Sequence, residues 1–209
     1  LLKKTRKEIN LKKLSAGFIS RSVWFTEFSA VISLLNEGKD WDDITKAIVE
    51  ENSFQMSSRN RAQDLAREMK LRISTLPVGF VDIFDQLSLS NQKLVNLIAL
   101  MLERPLVEDF VLTVVQKEFL TGDMRLEPYE ISAYLQDLPL QHPETAKWTD
   151  ETLKKIQTKF HEILTYSGLA EDVKGGMALK RALLDPSLIA LLKQSGKANY
   201  IQALTGRKL

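Results

Sequence analysis

The sequence predicts a mainly α protein: a helical bundle with a helix-turn-helix-like N-terminal part and a winged-helix-like C-terminal part carrying a short β-hairpin. Three observations predict this. Apolar residues recur at three- and four-residue spacing through most segments. Ser, Thr, Asp, Pro and Gly stand where those segments start and stop. Near the C-terminus a Lys-bearing helix precedes Gly175-Gly176, a pair that permits the positive φ angles of a tight hairpin turn.

The elements follow in order. Residues 1–14 form a basic arm, with Lys3, Lys4, Arg6, Lys7, Lys12 and Lys13 against one acid, Glu8. Such arms either solubilise a chain or lie along phosphates. Residues 15–36 predict a helix started by Ser20 or Ser22 and ended at Gly38. Asp40 caps a second helix, 41–51. Its Asp42 and Asp43 oppose the positive helix end and need no catalytic explanation. A short connector, 52–57, leads to a helix capped by Ser57 or Ser58. There Ala62, Leu65, Ala66, Met69 and Ile73 share one face. Arg59, Gln63, Arg67 and Lys70 form a second stripe, and Arg61 and Arg72 flank the apolar face. This is either a solvated surface helix or one that meets phosphates. Helix, connector, basic helix is the minimal form of a helix-turn-helix reader.

Thr75-Leu76-Pro77 and Gly79 break the pattern, which places a boundary near residue 78 between an N-terminal unit, 15–78, and a C-terminal unit, 79–209. A short helix is predicted over 80–87. A buried one capped by Ser90 covers 91–102, ended by Arg104-Pro105. Another runs over 108–120, stopped at Gly122. Residues 123–126 read as a turn or short strand. Pro128 opens a helix through 138, and 139–147 is loop. Thr149 caps a helix over 150–166, closed by Gly168, with Leu153, Ile156, Phe160, Ile163 and Leu164 as its apolar stripe. Lys154, Lys155, Thr158 and Lys159 lie elsewhere around its N-terminal half. Lys174, Lys180 and Arg181 are expected to cluster around the Gly-Gly turn. In a winged helix-turn-helix the third helix enters the major groove and the hairpin touches backbone or minor groove.

At 209 residues, 44% apolar and 27% charged, the chain can bury a sizeable core. The longest apolar run, 97–102, is far short of a membrane span. With no cysteine, no membrane segment and no signal-peptide pattern, a cytoplasmic protein is expected. The net charge of +2 hides a segregation. Residues 1–78 hold 14 Lys+Arg against 10 Asp+Glu, residues 79–149 hold 5 against 11, and residues 150–209 hold 10 against 6. Basic ends suggest a polyanionic partner. The acidic middle, with Asp109, Glu118 and Asp123, could instead dock a basic protein.

Enzyme templates fail. His142 and His161 are the only histidines, too few for a zinc site without cysteine, and both are expected at the surface. GxSxG, GxxxxGK[ST] and GxGxxG are absent. The E-x-K spacings at Glu37-Lys39 and Glu68-Lys70 lie on no predicted strand, so nuclease chemistry lacks its scaffold. No enzyme activity, cofactor, metal or small-molecule substrate is expected.

Several segments together resemble the BrxA family of bacteriophage-exclusion (BREX) defence systems. They are Ser15-Ala16-Gly17-Phe18 with Ser22, Trp41, Glu51-Asn52-Ser53-Phe54-Gln55 with Ser58-Arg59, and Arg72. Further on come His142-Pro143-Glu144, Lys147-Trp148-Thr149, Gly168-Leu169 and Leu184-Asp185-Pro186. The likeness covers roughly residues 15–200. It implies a non-enzymatic component of a multi-protein anti-phage system, with double-stranded DNA and other defence proteins as partners. It also implies an N-terminal part similar to NusB transcription factors, which leaves RNA binding or antitermination as an alternative. The residues expected at DNA are Arg59, Arg61, Gln63, Arg67, Lys70, Lys154, Lys155, Thr158, Lys159, Lys174, Lys180 and Arg181.

Overall fold

The computed structural model describes residues 13–207; most of the basic arm lies outside the described residues. Helices dominate. In order they are α1 (Phe25–Asn36), α2 (Trp41–Val49), α3 (Arg59–Ser74), α4 (Phe80–Ile83) and α5 (Leu89–Glu103). Then come α6 (Pro105–Phe110), a π turn (Val111–Val115) and α7 (Gln116–Thr121). Strand β1 (Arg125–Leu126) precedes α8 (Pro128–Asp137), and α9 (Asp150–Ser167) precedes β2 (Ala170–Val173) and β3 (Gly176–Leu179). Helices α10 (Pro186–Gln194) and α11 (Ala198–Thr205) follow.

The caps explain most boundaries. Asp40 accepts from the amides of Asp42 and Asp43, Ser58 from Arg61, and Thr149 from Thr152, each satisfying an orphan donor of a first turn. Gly122 and Gly168 close α7 and α9 in the left-handed region, at φ 82° and 78°.

Four expectations need correction. Helix α1 starts at Phe25, not at Ser20 or Ser22. The Val23 carbonyl explains this: it accepts from Arg72 Nη1 at 2.6 Å and Asn96 Nδ2 at 3.2 Å, so side chains from elsewhere hold it outside a helix. Ser88, not Ser90, caps α5. The helix expected from residue 108 begins at Pro105, which lacks an N–H and suits a first position. His142 is buried rather than superficial, and two 3₁₀ turns, Leu138–Leu140 and Pro143–Lys147, surround it.

The hairpin belongs to a three-stranded antiparallel sheet of order β1-β3-β2. Arg125 stands opposite Ala178, and Val173 opposite Gly176. The turn is therefore Lys174-Gly175, with Gly175 at φ 88°, while Gly176 sits in the strand. A Cβ on Gly176 would stand 2.7 Å from the Leu126 carbonyl oxygen. Glycine is there to let β1 approach.

The buried apolar residues form one cluster from Leu14 to Leu204. The segment before α1 is pinned into it by Phe18, whose ring lies 6.2 Å from that of Phe160, itself stacked at 3.9 Å on Phe110.

Candidate nucleic-acid interface

On α3 the apolar face predicted from spacing is the buried one. Arg59, Arg61, Gln63, Arg67 and Lys70 are all exposed. Arg59 and Arg61 make no ion pair among the described residues. Arg67 meets Asp64 at 3.4 Å, and the Lys70 ammonium lies 5.9 Å from the Trp41 ring centroid. The connection from α2 to α3 spans residues 50–58. That is longer than the three- or four-residue turn usual in a helix-turn-helix. It folds on itself through paired bonds between Asn52 and Met56.

At the other end, β2 turns back along α9, with His161 Nε2 and Asp172 Oδ1 2.5 Å apart. The hairpin tip thereby comes beside the N-terminal half of α9. Gly176 and Met177 line one crevice of about 470 Å³ with Lys154, Thr158 and His161. Lys154 and Thr158 are exposed at it, and Lys155 and Lys174 are exposed as well. Lys155 pairs with Glu151 at 2.7 Å, a solvent-exposed contact worth little against a phosphate. Arg125 joins this group: its Nη2 donates to the Lys174 carbonyl at 2.9 Å, and its Nε to Glu127 at 3.1 Å. Pattern reading missed it, because a two-residue strand has no period and its pairing is long-range.

Three expected contacts are placed differently. Lys159 is buried, with Nζ donating to the Arg21 carbonyl at 2.8 Å and to Glu162 at 2.5 Å. It flanks the apolar stripe, where a neighbouring backbone carbonyl claims it. Lys180 and Arg181 do not cluster around the turn. They follow β3 at its open end, about 14 Å along the strand from the tip. Lys180 pairs with Glu171, and Arg181 donates to the Phe119 carbonyl at 2.8 Å.

On the inner side of α3 lies a buried ionic cluster that spacing did not reveal. The Arg72 side chain is fully buried and reaches Glu68 and Glu103, each at 3.4 Å. Arg104 closes on Glu68 at 2.5 Å and on Glu103 at 2.6 Å; only the first has hydrogen-bond geometry. Arg21 meets Asp64 at 3.1 Å. Burial, then the neighbouring Glu68 charge, pushes the Glu103 carboxyl up to about 7. Glu68 is raised by burial too, but its bond to Arg104 and the charges of Arg104 and Arg72 outweigh that and hold it below the usual range. Burial lowers the Arg72 guanidinium against the pull of Glu103 and Glu68.

Among the described residues no group of three or more His, Asp or Glu could hold a metal ion, and no helix is long and apolar enough to cross a membrane.

A family model described as BrxA matches residues 12–196. The chain belongs to the BrxA family. Two relatives carry the name BREX protein BrxA. That from Bacillus cereus (strain H3081.97) is 24% identical over 187 residues, covering 90% of this chain and 94% of the relative. That from Escherichia coli O9:H4 (strain HS) is 25% identical over 182 residues, covering 87% and 85%. A crystal structure of an uncharacterized protein from Magnetospirillum magneticum has a similar fold. Its TM-score is 0.75 at 22% identity, over 94% of this chain and all of the other.

Proposed function

We propose that this BrxA-family chain is a non-enzymatic, double-stranded-DNA-binding accessory component of a BREX anti-phage system. The observation that carries the reading is the return of the hairpin along α9. It brings Lys154 and Thr158 to one crevice with Gly176 and Met177, while Lys155 on α9 and the bonded pair Arg125 and Lys174 at the hairpin are exposed. The connectivity strand, helix, helix, hairpin, with sheet order β1-β3-β2, suits a winged-helix reading in which α9 addresses the groove and the Lys174 tip the backbone. The exposed cations of α3 supply a second phosphate-binding surface. Few side chains on either surface suit base edges, Asn60 and Gln63 being the clearest, so sequence preference is weak.

The test is a gel shift on duplex DNA across a salt series. With about six cations engaged, log affinity falls against log salt with a slope of about −5. Lys154→Glu/Lys155→Glu weakens binding more than Arg59→Glu/Arg67→Glu if α9 is the main reader. A flat salt response would refute the proposal.

A second reading is a scaffold for other defence proteins. It is favoured by the exposed Leu120 and Tyr129 beside Asp123. The charge of Glu130, a little burial, and the charges of Glu127 and Asp123 raise the Tyr129 phenol, which marks the patch as acidic. Asp109 accepts from the Tyr134 hydroxyl at 2.7 Å, and Glu118 is buried, so its charge reaches the Tyr129 phenol but its side chain is not offered to a partner. Asp123→Lys/Tyr129→Ala should abolish a pull-down of defence subunits and leave DNA binding intact. Unchanged assembly would remove this reading.

A further inference from the structure

A small pocket of about 170 Å³ opens where α6, the π turn and the end of α8 meet the 3₁₀ turn Leu138–Leu140. Asp109, Thr113, Tyr134, Asp137, Gln141 and His142 supply its polar lining, beside the buried Leu138. No lysine or arginine lines it, and neither aspartate makes an ion pair among the described residues.

Its two hydroxyls are already donating. Tyr134 donates to Asp109 Oδ2 at 2.7 Å, and Thr113 to the Asp109 carbonyl at 2.6 Å. Burial, then the Asp109 charge, raise the Tyr134 phenol, so it keeps that proton. His142 adds a group that the fold leaves unused. It is only 7% exposed, and its Nδ1 is turned to Glu144 Oε1, 3.5 Å away. Its Nε2 has no partner among the described residues. With the ring proton on the side of the carboxylate, Nε2 offers a lone pair. Asp137 ends α8, where the helix carbonyls are already negative, an unfavourable place for an acid without a cation. The pocket thus presents acceptors from several directions and, apart from the Gln141 amide, no free donor.

What fits is a flat cation with donors along more than one edge. A guanidinium has five in a plane and meets carboxylates two at a time, whereas an ammonium is a compact point charge with three. Asp109, Asp137 and His142 do not converge closely enough to hold a metal ion. The volume lies below the roughly 300 Å³ at which pockets for whole small ligands begin, so a single side chain fills it. Leu140, in the turn that walls the pocket, is 82% exposed and offers an apolar contact to whatever carries that side chain.

We propose that this pocket receives one arginine side chain of a partner protein, its guanidinium held by Asp109, Asp137 and His142 Nε2. Arginines that fill pockets are among the residues that dominate binding at interfaces. The pocket shares no residue with the proposed DNA surfaces. It is also separate from the patch at Tyr129, which stands at the start of α8, a helix about 15 Å long that ends at Asp137. It therefore depends on neither reading above.

Titration of the full chain with terminally blocked peptides, followed by amide resonances, tests it. A glycine pentapeptide with a central arginine should bind saturably and shift the amides of Thr113, Leu138 and Gln141. The lysine counterpart should bind at least about fivefold more weakly. The citrulline counterpart, which keeps the shape and loses the charge, should bind at least about tenfold more weakly. Agmatine, the same side chain without a peptide, should bind more weakly than the arginine peptide. Asp137 is exposed and its carboxylate makes no bond among the described residues, so Asp137→Asn should melt as the wild type does. It should weaken the arginine peptide by about fivefold or more. Asp123→Lys/Tyr129→Ala should not. Absence of saturable binding by the arginine peptide overturns the proposal. So does equal binding by the lysine or citrulline peptide, or tighter binding of agmatine. An equal loss in Asp123→Lys/Tyr129→Ala, which would mean diffuse attraction, overturns it as well. Peptide binding retained in that variant, and unchanged gel shifts in Asp137→Asn, keep the outcome separate from those of the two readings above.

Discussion

Arg72 shows where a helical wheel stops being informative. Spacing placed it on the flank of the α3 apolar face, beside Arg61, and nothing in the local pattern separates the two. The structure exposes Arg61 and buries Arg72 completely. The difference lies in what faces each: Arg72 meets the Val23 carbonyl, the Asn96 side chain, Glu68 and Glu103, all distant in sequence except Glu68. A guanidinium can serve such a set because its five donors fan out in a plane. Arg72→Leu leaves Glu68 and Glu103 buried with Arg104 and, 3.9 Å from Glu68, Arg21, and should destabilise the fold by about 3–5 kcal/mol. Chemical denaturation measures it, and a cost under about 1 kcal/mol would show that the cluster is not a structural keystone. Glu103 adds a pH dependence. Its carboxyl, raised to about 7, holds a proton more tightly folded than unfolded. That contribution is complete below the ordinary Glu value of about 4.3 and is lost as pH rises through about 7. Glu68, held low, acts in the opposite sense, and its contribution is lost only as pH falls through its depressed value. Between about pH 5 and pH 8 the Glu103 effect dominates, so the melting temperature should fall as pH rises, and Glu103→Gln should flatten that slope. An identical slope in the variant would assign the dependence to another group.

At the level of elements, the sequence was most legible where local chemistry decides. The caps Asp40, Ser58 and Thr149 and the apolar stripes of α3 and α9 stand where spacing put them. So do the exposed cations of α3 and of the α9 N-terminal half. It was least legible where a partner decides. The Gly-Gly pair was read as a turn, but only Gly175 turns; Gly176 makes room for β1, a strand too short to have a pattern. The same extended strand carries Lys180 and Arg181 away from Lys174, and a backbone carbonyl of the segment before α1 draws Lys159 inward. Gly176→Ala should therefore cost about 1–3 kcal/mol by overpacking against Leu126. It should also speed hydrogen exchange at the Leu179 amide, which donates 2.8 Å to the Met124 carbonyl across the β1 edge. Gly175→Ala should cost about 1–2 kcal/mol from its positive φ while that amide stays protected. Equal protection in both variants would mean that β1 does not depend on the close approach.

For the whole molecule, the informative contacts cross the boundary that the break in helix pattern suggested near residue 78. The Leu14 amide donates to Glu144 at 2.9 Å, Lys159 holds the Arg21 carbonyl, and Arg21 in turn reaches Asp64 on α3. These partners are up to 138 residues apart, so no window along the chain could pair them. Pro77 and Gly79 interrupt the helix pattern, which is all that a local reading can register. A core without a break from Leu14 to Leu204 favours one cooperative transition. The three tryptophans give a direct measurement. Trp41 lies on α2, Trp148 lies just before α9, and Trp24 is removed in both probes. Trp24→Phe/Trp148→Phe reports the N-terminal region alone, and Trp24→Phe/Trp41→Phe the C-terminal region alone. Their denaturation midpoints should coincide. Phe18→Ala, which empties the space against Phe160, should lower both together by about 3–5 kcal/mol. Midpoints that separate, or a Phe18→Ala effect confined to one probe, would mean that residues 15–78 and 79–209 unfold as two units and that the segment before α1 belongs energetically to only one of them.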